Sequence, residues 1–322
     1  MMMKNVLTLL IFVLISNLKV ESQKKTAYQK NDIRVKSLHK AVLYAGSLKR
    51  IERFPSKYIT PRNVDIWLPE NYTKSKKYAV LYMHDGQNLF DSTTTWNKQE
   101  WKVDDWVSKL NKQQKIKDVI VVGIHSVSSI RWQDLFPEKA MEYIPQQTRD
   151  SIYKQAKATG FNTNLTGDEY LSFLVKELKP FIDKRYATLK DQENTFVAGS
   201  SMGGLMSMYA ICEYPKIFSG AACISTHWPG ATPMKNNPFS KAILTYLKAK
   251  IPSKKNHKFY FDYGTKTLDR FYPKYAETID SIFSEKGYTN QNYKNIRFEG
   301  DDHSENSWNK RFHIPLKFLL KH

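Results

Sequence analysis

"FVAGSSMGGLMSMY", residues 196–209, joins two apolar runs through a cluster of serine and glycine. The residues before Gly199 are typical of a buried strand, and the segment from Leu205 onward is typical of a helix. Gly199 and Gly203 flank Ser201 in the pattern G-x-S-x-G. Small residues at both ends of this pattern let a strand and a helix approach closely, while the central serine is exposed on a strained turn. A plain small-residue turn is the alternative, but the flanking strand and helix favour a nucleophile elbow.

The register of the glycines makes Ser201 the predicted nucleophile and leaves Ser200 as its neighbour. An activated serine needs a base within hydrogen-bond reach and a carboxylate that orients the base, and both follow the serine along the chain in this kind of turn. His303 lies in EGDDHSE, between the last predicted strand and the last predicted helix, and is the predicted base. A solvated loop histidine is the alternative. The other histidines after Ser201 begin or follow strands, lie in the closing helix or end the chain: His227, His257, His313 and His322.

The orienting acid is expected in the loop after the predicted strand Lys258–Tyr263. Asp269 lies in that loop and is the preferred candidate. An N-cap of the next helix is its alternative role, because aspartate caps helices well. Asp262, near the end of the strand, remains the rival acid, although the alternation of its neighbours indicates a carboxylate that faces the sheet.

Two backbone N–H groups must point at one position to hold an oxyanion. Met202 follows the nucleophile at the start of a helix, where the helix dipole also favours negative charge, and is the first predicted donor. The second is expected in the loop HDGQNLFD, where Gly86 frees the backbone and Gln87 is the candidate. A metal pair formed by His84 and Asp85 is the competing hypothesis, but no further ligand cluster accompanies it at a suitable spacing.

The rest of the chain alternates strands with helix-length segments, which predicts an α/β fold: an α/β-hydrolase with a mainly parallel central sheet and helices on both faces. Two short runs around Pro55 and Pro61 predict an antiparallel pair at the start of one domain spanning 46–322. Residues 125–166 carry little regular pattern and are expected to form loops over the sheet edge. The predicted strands are 48–54, 64–68, 78–84, 119–124, 195–198, 220–224, 258–263 and 295–298, and the predicted helices are 101–110, 170–186, 202–213, 268–286 and 308–320.

Composition describes a globular and strongly basic chain. It has 322 residues, 41% of them hydrophobic, and 50 Lys+Arg against 31 Asp+Glu, a formal charge of +19. The lysines are scattered and no nucleic-acid-binding module accompanies them, so a solvated basic surface is expected and nucleic acid is not an expected partner. Cys212 and Cys223 lie in apolar segments and are expected to be buried free thiols.

The first residues predict export. Lys4 precedes an apolar core at 6–18 that is short for a bilayer span, and small residues allow cleavage after Ser22. Residues 1–22 are therefore expected to be a signal peptide, and 23–45 a polar N-terminal arm. The mature protein is expected to be periplasmic or secreted without a stable membrane anchor. A retained N-terminal anchor is the alternative.

With these residues in place, 46–320 resembles the putative esterase family, which includes enterochelin esterases, esterase D, feruloyl esterases and mycolyltransferases. The resemblance rests on RNVDIWLPENY, YAVLYMHDGQNLFD, VAGSSMGGLMSMYA, FDYGTKTLD and DDHSENSW, in family order. It implies Ser201 as nucleophile, His303 as base, and oxyanion donors at Gln87 and Met202. The segment YGTKTLD is longer than the family's commoner G-x-x-D form. Asp269 is therefore the least certain of the three predicted catalytic residues. Arg131 and Trp228 match positions that look substrate-facing in this family, with a structural role as the alternative for each. Asn88 is a further substrate-binding candidate.

These features predict an exported serine carboxylesterase that forms an acyl-enzyme on Ser201 and uses no metal or organic cofactor. The expected partner is a small-molecule or oligosaccharide ester of carbohydrate, feruloyl, acetyl or siderophore type. Two alternatives remain. An acyltransferase would pass the same acyl group to another hydroxyl, and a catalytically silent binding protein would keep the scaffold alone.

Overall fold

A computed structural model describes residues 33–321. The predicted signal peptide, its cleavage site and the arm before residue 33 lie outside the described residues. The strands are β1 Lys36–Ser37, β2 Ser47–Phe54, β3 Arg62–Leu68, β4 Ala79–His84, β5 Val119–Ile124, β6 Thr195–Ser200, β7 Gly220–Ile224, β8 Lys258–Tyr263 and β9 Tyr293–Arg297. The α-helices are α1 Val103–Lys112, α2 Arg131–Leu135, α3 Gln146–Ala158, α4 Gly167–Phe173, α5 Lys179–Arg185, α6 Met202–Glu213, α7 Pro238–Lys250, α8 Pro273–Glu285, α9 Glu305–Arg311 and α10 His313–Leu320.

All nine strands described form one sheet in the order β1-β2-β3-β5-β4-β6-β7-β8-β9. The pairs from β5 through β9 are parallel, whereas β1, β2 and β3 join antiparallel to one another and to β5. The predicted antiparallel start and mainly parallel α/β sheet are confirmed. Because parallel strands end at one edge, the loops after β4, β6, β7, β8 and β9 meet there.

Each face of the sheet carries its own apolar core. Alternate residues of β4 divide between them: Val80 and Tyr82 face one core, and Leu81 and Met83 face the other. Helices α4 to α8 cover the first face, and α1, α9 and α10 cover the second. The prediction of helices on both faces is confirmed, because strands buried on both sides need apolar cover on both sides.

The expected polar arm differs from the structure over residues 33–45. Lys36 and Ser37 pair with β2, and Leu38 and Leu43 pack against a core cluster. Beyond them, the N–H groups of residues 42 and 44 donate to Asp91 and Asp104. The lysine-rich composition did not indicate that this segment is ordered, because the contacts that hold it are made largely by its backbone.

Residues 125–166, expected to be loops, also contain helices. Helix α2 and the 13-residue α3 lie there, together with 3-10 turns at Ser128–Ile130 and Glu138–Tyr143. Helix α3 has no fully buried residue, so it lacks the apolar stripe that would have indicated a helix.

Three long helices predicted from periodicity are not single regular α-helices. The helix predicted over 170–186 consists of α4, a π-helical turn at Leu174–Leu178 and α5, with Pro180 in the first turn of α5. The segment 268–286 divides into a 3-10 turn, Thr267–Phe271, and α8, which begins at Pro273. The closing helix is α9 followed by α10. Proline favours the first turn of a new helix because that turn leaves its N–H groups unpaired.

Within 33–321, no helix combines the length and apolar character needed to cross a bilayer. Cys212 and Cys223 are both free and buried, and burial raises the pKa of each thiol. Both therefore pack as small apolar side chains.

Asp104→Asn is expected to stabilise the fold at neutral pH. Burial raises the pKa of Asp104 from 3.8 to about 6, and its Oδ1 is buried without a hydrogen-bond partner in the protein. The folded chain thus binds the proton more tightly than the unfolded chain, so stability falls as the pH rises from about 4 through 6. The neutral amide keeps an acceptor for the residue-44 N–H and removes this loss, which amounts to roughly 3 kcal/mol at pH 8.

Urea unfolding of wild type and Asp104→Asn at a series of pH values tests this prediction. The difference in unfolding free energy should grow from acid to neutral pH. A difference that is constant with pH would contradict it.

Candidate active site

The backbone of Ser201 makes the sharp turn that the glycine pattern predicts. Ser200 ends β6, Met202 begins α6, and Ser201 between them has φ 57° and ψ −120°. Its N–H donates to the Ile224 carbonyl at 2.9 Å, and its carbonyl accepts from the His227 N–H at 3.1 Å. The structure therefore places Ser201, and not Ser200, at the tip of the elbow.

The flanking glycines are required by close approach. A Cβ on Gly199 would lie 2.7 Å from the carbonyl carbon of Gly203, which is far inside contact distance. A Cβ on Gly203 would lie 3.2 Å from the Cβ of His84 and 3.4 Å from a carboxylate oxygen of Asp85. The elbow is thus packed directly against the end of β4.

His303 and Asp269 are brought together. The Nδ1 of His303 lies 2.5 Å from Oδ1 of Asp269, which is fully buried. The other oxygen of Asp269 accepts from the Gly264 N–H and from Oγ of Ser225, both at 2.6 Å. Because a carboxylate partner holds the proton on Nδ1, the Nε2 of His303 is left as the basic nitrogen.

The long YGTKTLD segment reaches this position by folding over the next loop. The N–H groups of Thr265 and Lys266 both donate to the Asp301 carbonyl at 2.9 Å. A Cβ on Gly264 would lie 2.3 Å from the same carbonyl oxygen, so only glycine allows the approach. The additional residues therefore form a turn that returns Asp269 to His303.

Asp262, the rival acid, lies in a separate ion pair. Its carboxylate accepts from Arg311 at 3.0 Å, from the Ser225 N–H at 3.0 Å and from the hydroxyl of Tyr260 at 3.0 Å. Burial raises its pKa, and Arg311 counteracts that rise. The alternation that indicated a carboxylate facing the sheet agrees with this position, and its hydrogen bonds run to groups other than His303.

Ser225 connects the two carboxylates. Its Oγ donates to Asp269 and accepts from the indole N–H of Trp308 at 2.9 Å and from Arg311 at 2.8 Å. The Trp308 ring also packs edge-to-face on His303, with centroids 5.0 Å apart. The sequence interpretation missed Ser225 and Arg311, since neither belongs to a motif. Trp308 ends the DDHSENSW motif, five residues after the predicted base, but the sequence assigned it no role.

The two predicted oxyanion donors lie in the first turns of two helices. Met202 begins α6, and Gln87 lies in the 3-10 turn Gly86–Asn88 after β4. N–H groups in a first turn have no partner within their own helix. The side chain of Gln87 is held by Ser126, donating to its Oγ at 2.8 Å and accepting from its N–H at 3.1 Å.

Arg131 forms a bidentate ion pair beside the elbow. Its guanidinium donates to both oxygens of Asp85, at 2.7 and 2.8 Å, and its side chain is 31% exposed. Burial alone would raise the pKa of Asp85, but the guanidinium reverses this and holds the pKa below its usual range.

The side chain of His84 is also occupied. Its Nδ1 lies 2.8 Å from the Tyr170 hydroxyl, and burial lowers the pKa of His84 to about 4. Asp85 and His84 thus engage different partners, which gives the competing metal-pair hypothesis no support. Within 33–321, no group of three or more His, Cys, Asp or Glu side chains is placed to hold a metal ion.

The remaining two substrate-facing candidates have different surroundings. Asn88 donates to Glu305 at 3.1 Å, joining the turn after β4 to the helix that follows His303. Its Oδ1 is buried with no protein partner. Trp228 is 4% exposed and packs on Phe261 with centroids 5.5 Å apart. Trp228 thus lies in the apolar core on one face of the sheet, and its contact with substrate stays a prediction.

The chain is similar to known proteins over most of its described length. A family model described as "Putative esterase" matches residues 57–319. The uncharacterized protein YbbA of Bacillus subtilis is 25% identical over 170 residues, which cover 52% of this chain and 58% of that protein, so the match spans little more than half of this relative.

Solved structures show the same fold. A ferulic acid esterase from Anaeromyces mucronatus superposes with a TM-score of 0.60 at 19% identity, covering 85% of this chain and 91% of that one. The enterochelin esterase from Shigella flexneri superposes with a TM-score of 0.58 at 14% identity, covering 87% and 59%. The α/β-hydrolase fold is thereby confirmed.

Ser225→Ala is expected to destabilise the protein by roughly 1–3 kcal/mol, because it leaves buried donors on Trp308 and Arg311 without their acceptor. Ser207→Ala is the matched control, since the Ser207 hydroxyl is equally buried but bonds only the Gly203 carbonyl of its own helix. Urea denaturation measures both variants. Equal losses of unfolding free energy in the two variants would show that Ser225 does not join the hydrogen-bond networks of Asp262 and Asp269.

Proposed function

The chain belongs to the putative esterase family, and on that premise we propose that it is an exported serine carboxylesterase acting through an acyl-enzyme on Ser201. The observation that carries this proposal is the contact between His303 and a fully buried Asp269, at the same sheet edge as the strained turn of Ser201. A buried carboxylate bonded to Nδ1 orients the histidine, and a strained turn presents the serine hydroxyl. Acyl transfer through a serine requires both.

The proposed reaction follows from these positions. The Nε2 of His303 accepts the proton of Ser201 as Oγ bonds to the ester carbonyl carbon. The N–H groups of Met202 and Gln87 stabilise the oxyanion, aided by the positive end of α6. His303 then returns the proton to the leaving alcohol. Water repeats the sequence on the acyl-enzyme and releases the acid, while Asp269 keeps the imidazole in one tautomer throughout.

The proposed substrate is an ester of carbohydrate, feruloyl, acetyl or siderophore type. The structural neighbours described above are a ferulic acid esterase and an enterochelin esterase, which supports esters with an aromatic acyl group. Trp96 is 84% exposed, and its neighbour Asn97 donates to Glu305, two residues after His303. An exposed indole near the site offers a flat surface for an aromatic ring or a sugar. Parallel assays with acetylated xylan, feruloylated sugars and a ferric siderophore distinguish these substrates.

Export is proposed from the apolar core and cleavage site near the N-terminus. Mass spectrometry of the mature protein recovered outside the cytoplasm tests it, with a new N-terminus at Gln23 expected. An intact N-terminus on the recovered protein would favour the retained anchor.

Ser201→Ala is expected to abolish the burst of p-nitrophenol from an activated acyl ester and labelling by a fluorophosphonate, because both need Oγ as nucleophile. Ser200→Ala is the matched control and should keep most of the activity, since Ser200 lies in β6. Stopped-flow absorbance and intact mass measure these outcomes. A Ser201→Ala rate equal to wild type would rule out the proposed acyl-enzyme.

Asp269→Asn is expected to lower kcat by about 100-fold or more, because the imidazole loses the group that orients it. Asp262→Asn should mainly lower stability, since it weakens the pairing of buried Arg311. Steady-state kinetics and thermal unfolding of both variants separate the two roles. A larger kcat loss for Asp262→Asn would reverse the assignment of the acid.

A further inference from the structure

The proposed base and the proposed oxyanion turn come from distant strands. His303 follows β9 and the turn Gly86–Asn88 follows β4, and β6, β7 and β8 lie between these two strands in the sheet. At the usual strand spacing of about 4.8 Å, β4 and β9 are roughly 19 Å apart. The side chain of His303 is held by Asp269, and its N–H donates to Oγ1 of Thr267 at 2.8 Å, so both contacts come from the loop after β8. Neither contact fixes the base relative to the turn after β4.

Glu305 reaches across this distance. It is the first residue of α9, two residues after His303, and it is 8% exposed. One carboxylate oxygen accepts from Nδ2 of Asn88 at 3.1 Å, and the other accepts from Nδ2 of Asn97 at 2.9 Å. Asn88 is the last residue of the proposed oxyanion turn, whereas Asn97 lies in the loop beyond it.

The other side-chain contact of the turn leads away from the base. The side chain of Gln87 bonds Ser126, in the loop after β5. Among the side-chain hydrogen bonds of the described residues, the bond between Asn88 and Glu305 alone joins the turn to the segment that follows the base. We propose that Glu305 is a positioning residue that aligns the N–H of Gln87 with the imidazole of His303.

A carboxylate suits this role better than a neutral side chain. Both oxygens of a carboxylate accept hydrogen bonds, so Glu305 binds the side-chain amides of Asn88 and Asn97 at once. A bond to a charged acceptor is roughly twice as strong as one between neutral groups. Glu305 also lies in the first turn of α9, where the helix dipole favours negative charge. The bond to Asn88 therefore resists a separation of the turn from the loop that carries His303.

This placement predicts an effect on the transition state. The N–H of Gln87 is proposed to bind the substrate oxygen most strongly when that oxygen is an oxyanion, and both acylation and deacylation pass through an oxyanion. A shift of the turn relative to His303 should thus slow both steps, which lowers kcat and leaves KM nearly unchanged. This inference rests on the proposed function, because it requires the proposed base and oxyanion donors.

Glu305→Ala is expected to lower kcat for p-nitrophenyl acetate by roughly 10- to 100-fold, because small displacements of catalytic groups have effects of this size. The Ki of an aryl trifluoromethyl ketone, whose adduct on serine carries an oxyanion, should rise by a similar factor. Asn97→Ala is the matched control, since it removes the other hydrogen bond of Glu305 outside the turn, and it should keep kcat and Ki near wild type. Equal losses in both variants would indicate a merely structural role and overturn the proposal.

Glu305→Gln tests the role by rescue. The oxygen of the new amide can accept from Asn97 while its nitrogen donates to Oδ1 of Asn88, an atom that is buried with no protein partner and that a turn of the Asn88 amide brings into place. This variant should therefore keep most of kcat and a ketone Ki near wild type. Losses as large as those of Glu305→Ala would overturn the proposal.

Asn88→Asp supplies a pH profile, which decides the question even if Glu305→Ala does not fold. The new carboxylate faces that of Glu305, and two such groups in contact cannot both ionise without repulsion. A shared proton restores the bond at low pH, so the ratio of variant kcat to wild-type kcat should rise as the pH falls. Asn97→Asp creates the same pair outside the turn and should give a ratio that is constant with pH. A constant ratio for Asn88→Asp would contradict the proposed alignment.

The wild type separates this inference from the proposed function. A wild type with neither p-nitrophenyl acetate turnover nor inhibition by the ketone overturns the proposed acyl-enzyme, and the positioning role with it. An active, ketone-sensitive wild type together with an unchanged Glu305→Ala kcat overturns the positioning role alone.

Discussion

The backbone conformation of Ser201 is the constraint on which the site depends. A positive φ at a residue with a Cβ costs on the order of 1–3 kcal/mol and persists only where its surroundings enforce it. Here the enforcing contacts come from one neighbouring strand and its loop, through the hydrogen bonds to Ile224 and His227. The turn can relax only if β6 separates from β7, so the edge of the sheet itself holds the proposed nucleophile in place.

Buried charged side chains meet the turn of Ser201 at the same edge of the sheet, at the end of β8 and in the loops after β8 and β9. Asp269 and Asp262 are both buried, and two carboxylates so close to each other need separate partners. Asp269 has His303, and Asp262 has Arg311, while Ser225 bonds to both systems. Burial here is tolerated because each oxygen accepts defined hydrogen bonds, and the same bonds prevent the loops from moving apart.

The two sides of Ser201 differ in charge. On one side the proposed base is backed by a carboxylate, which stabilises an imidazolium when the base takes a proton. On the other side Tyr272 and His227 are held neutral by burial, since it raises the pKa of the first and lowers that of the second.

The sequence by itself determined the sheet and the elbow, because these depend on local apolar period and on glycine spacing. It also singled out Ser201, Asp269 and His303 as the proposed nucleophile, acid and base. It left Asp269 and Asp262 as rival acids, missed Ser225 and Arg311, and did not indicate that residues 33–45 join the sheet and a core cluster. Those positions are decided by which loops meet at the sheet edge and by which carboxylate already has a buried cation. Such pairings join residues tens of positions apart, so only the tertiary structure decided them.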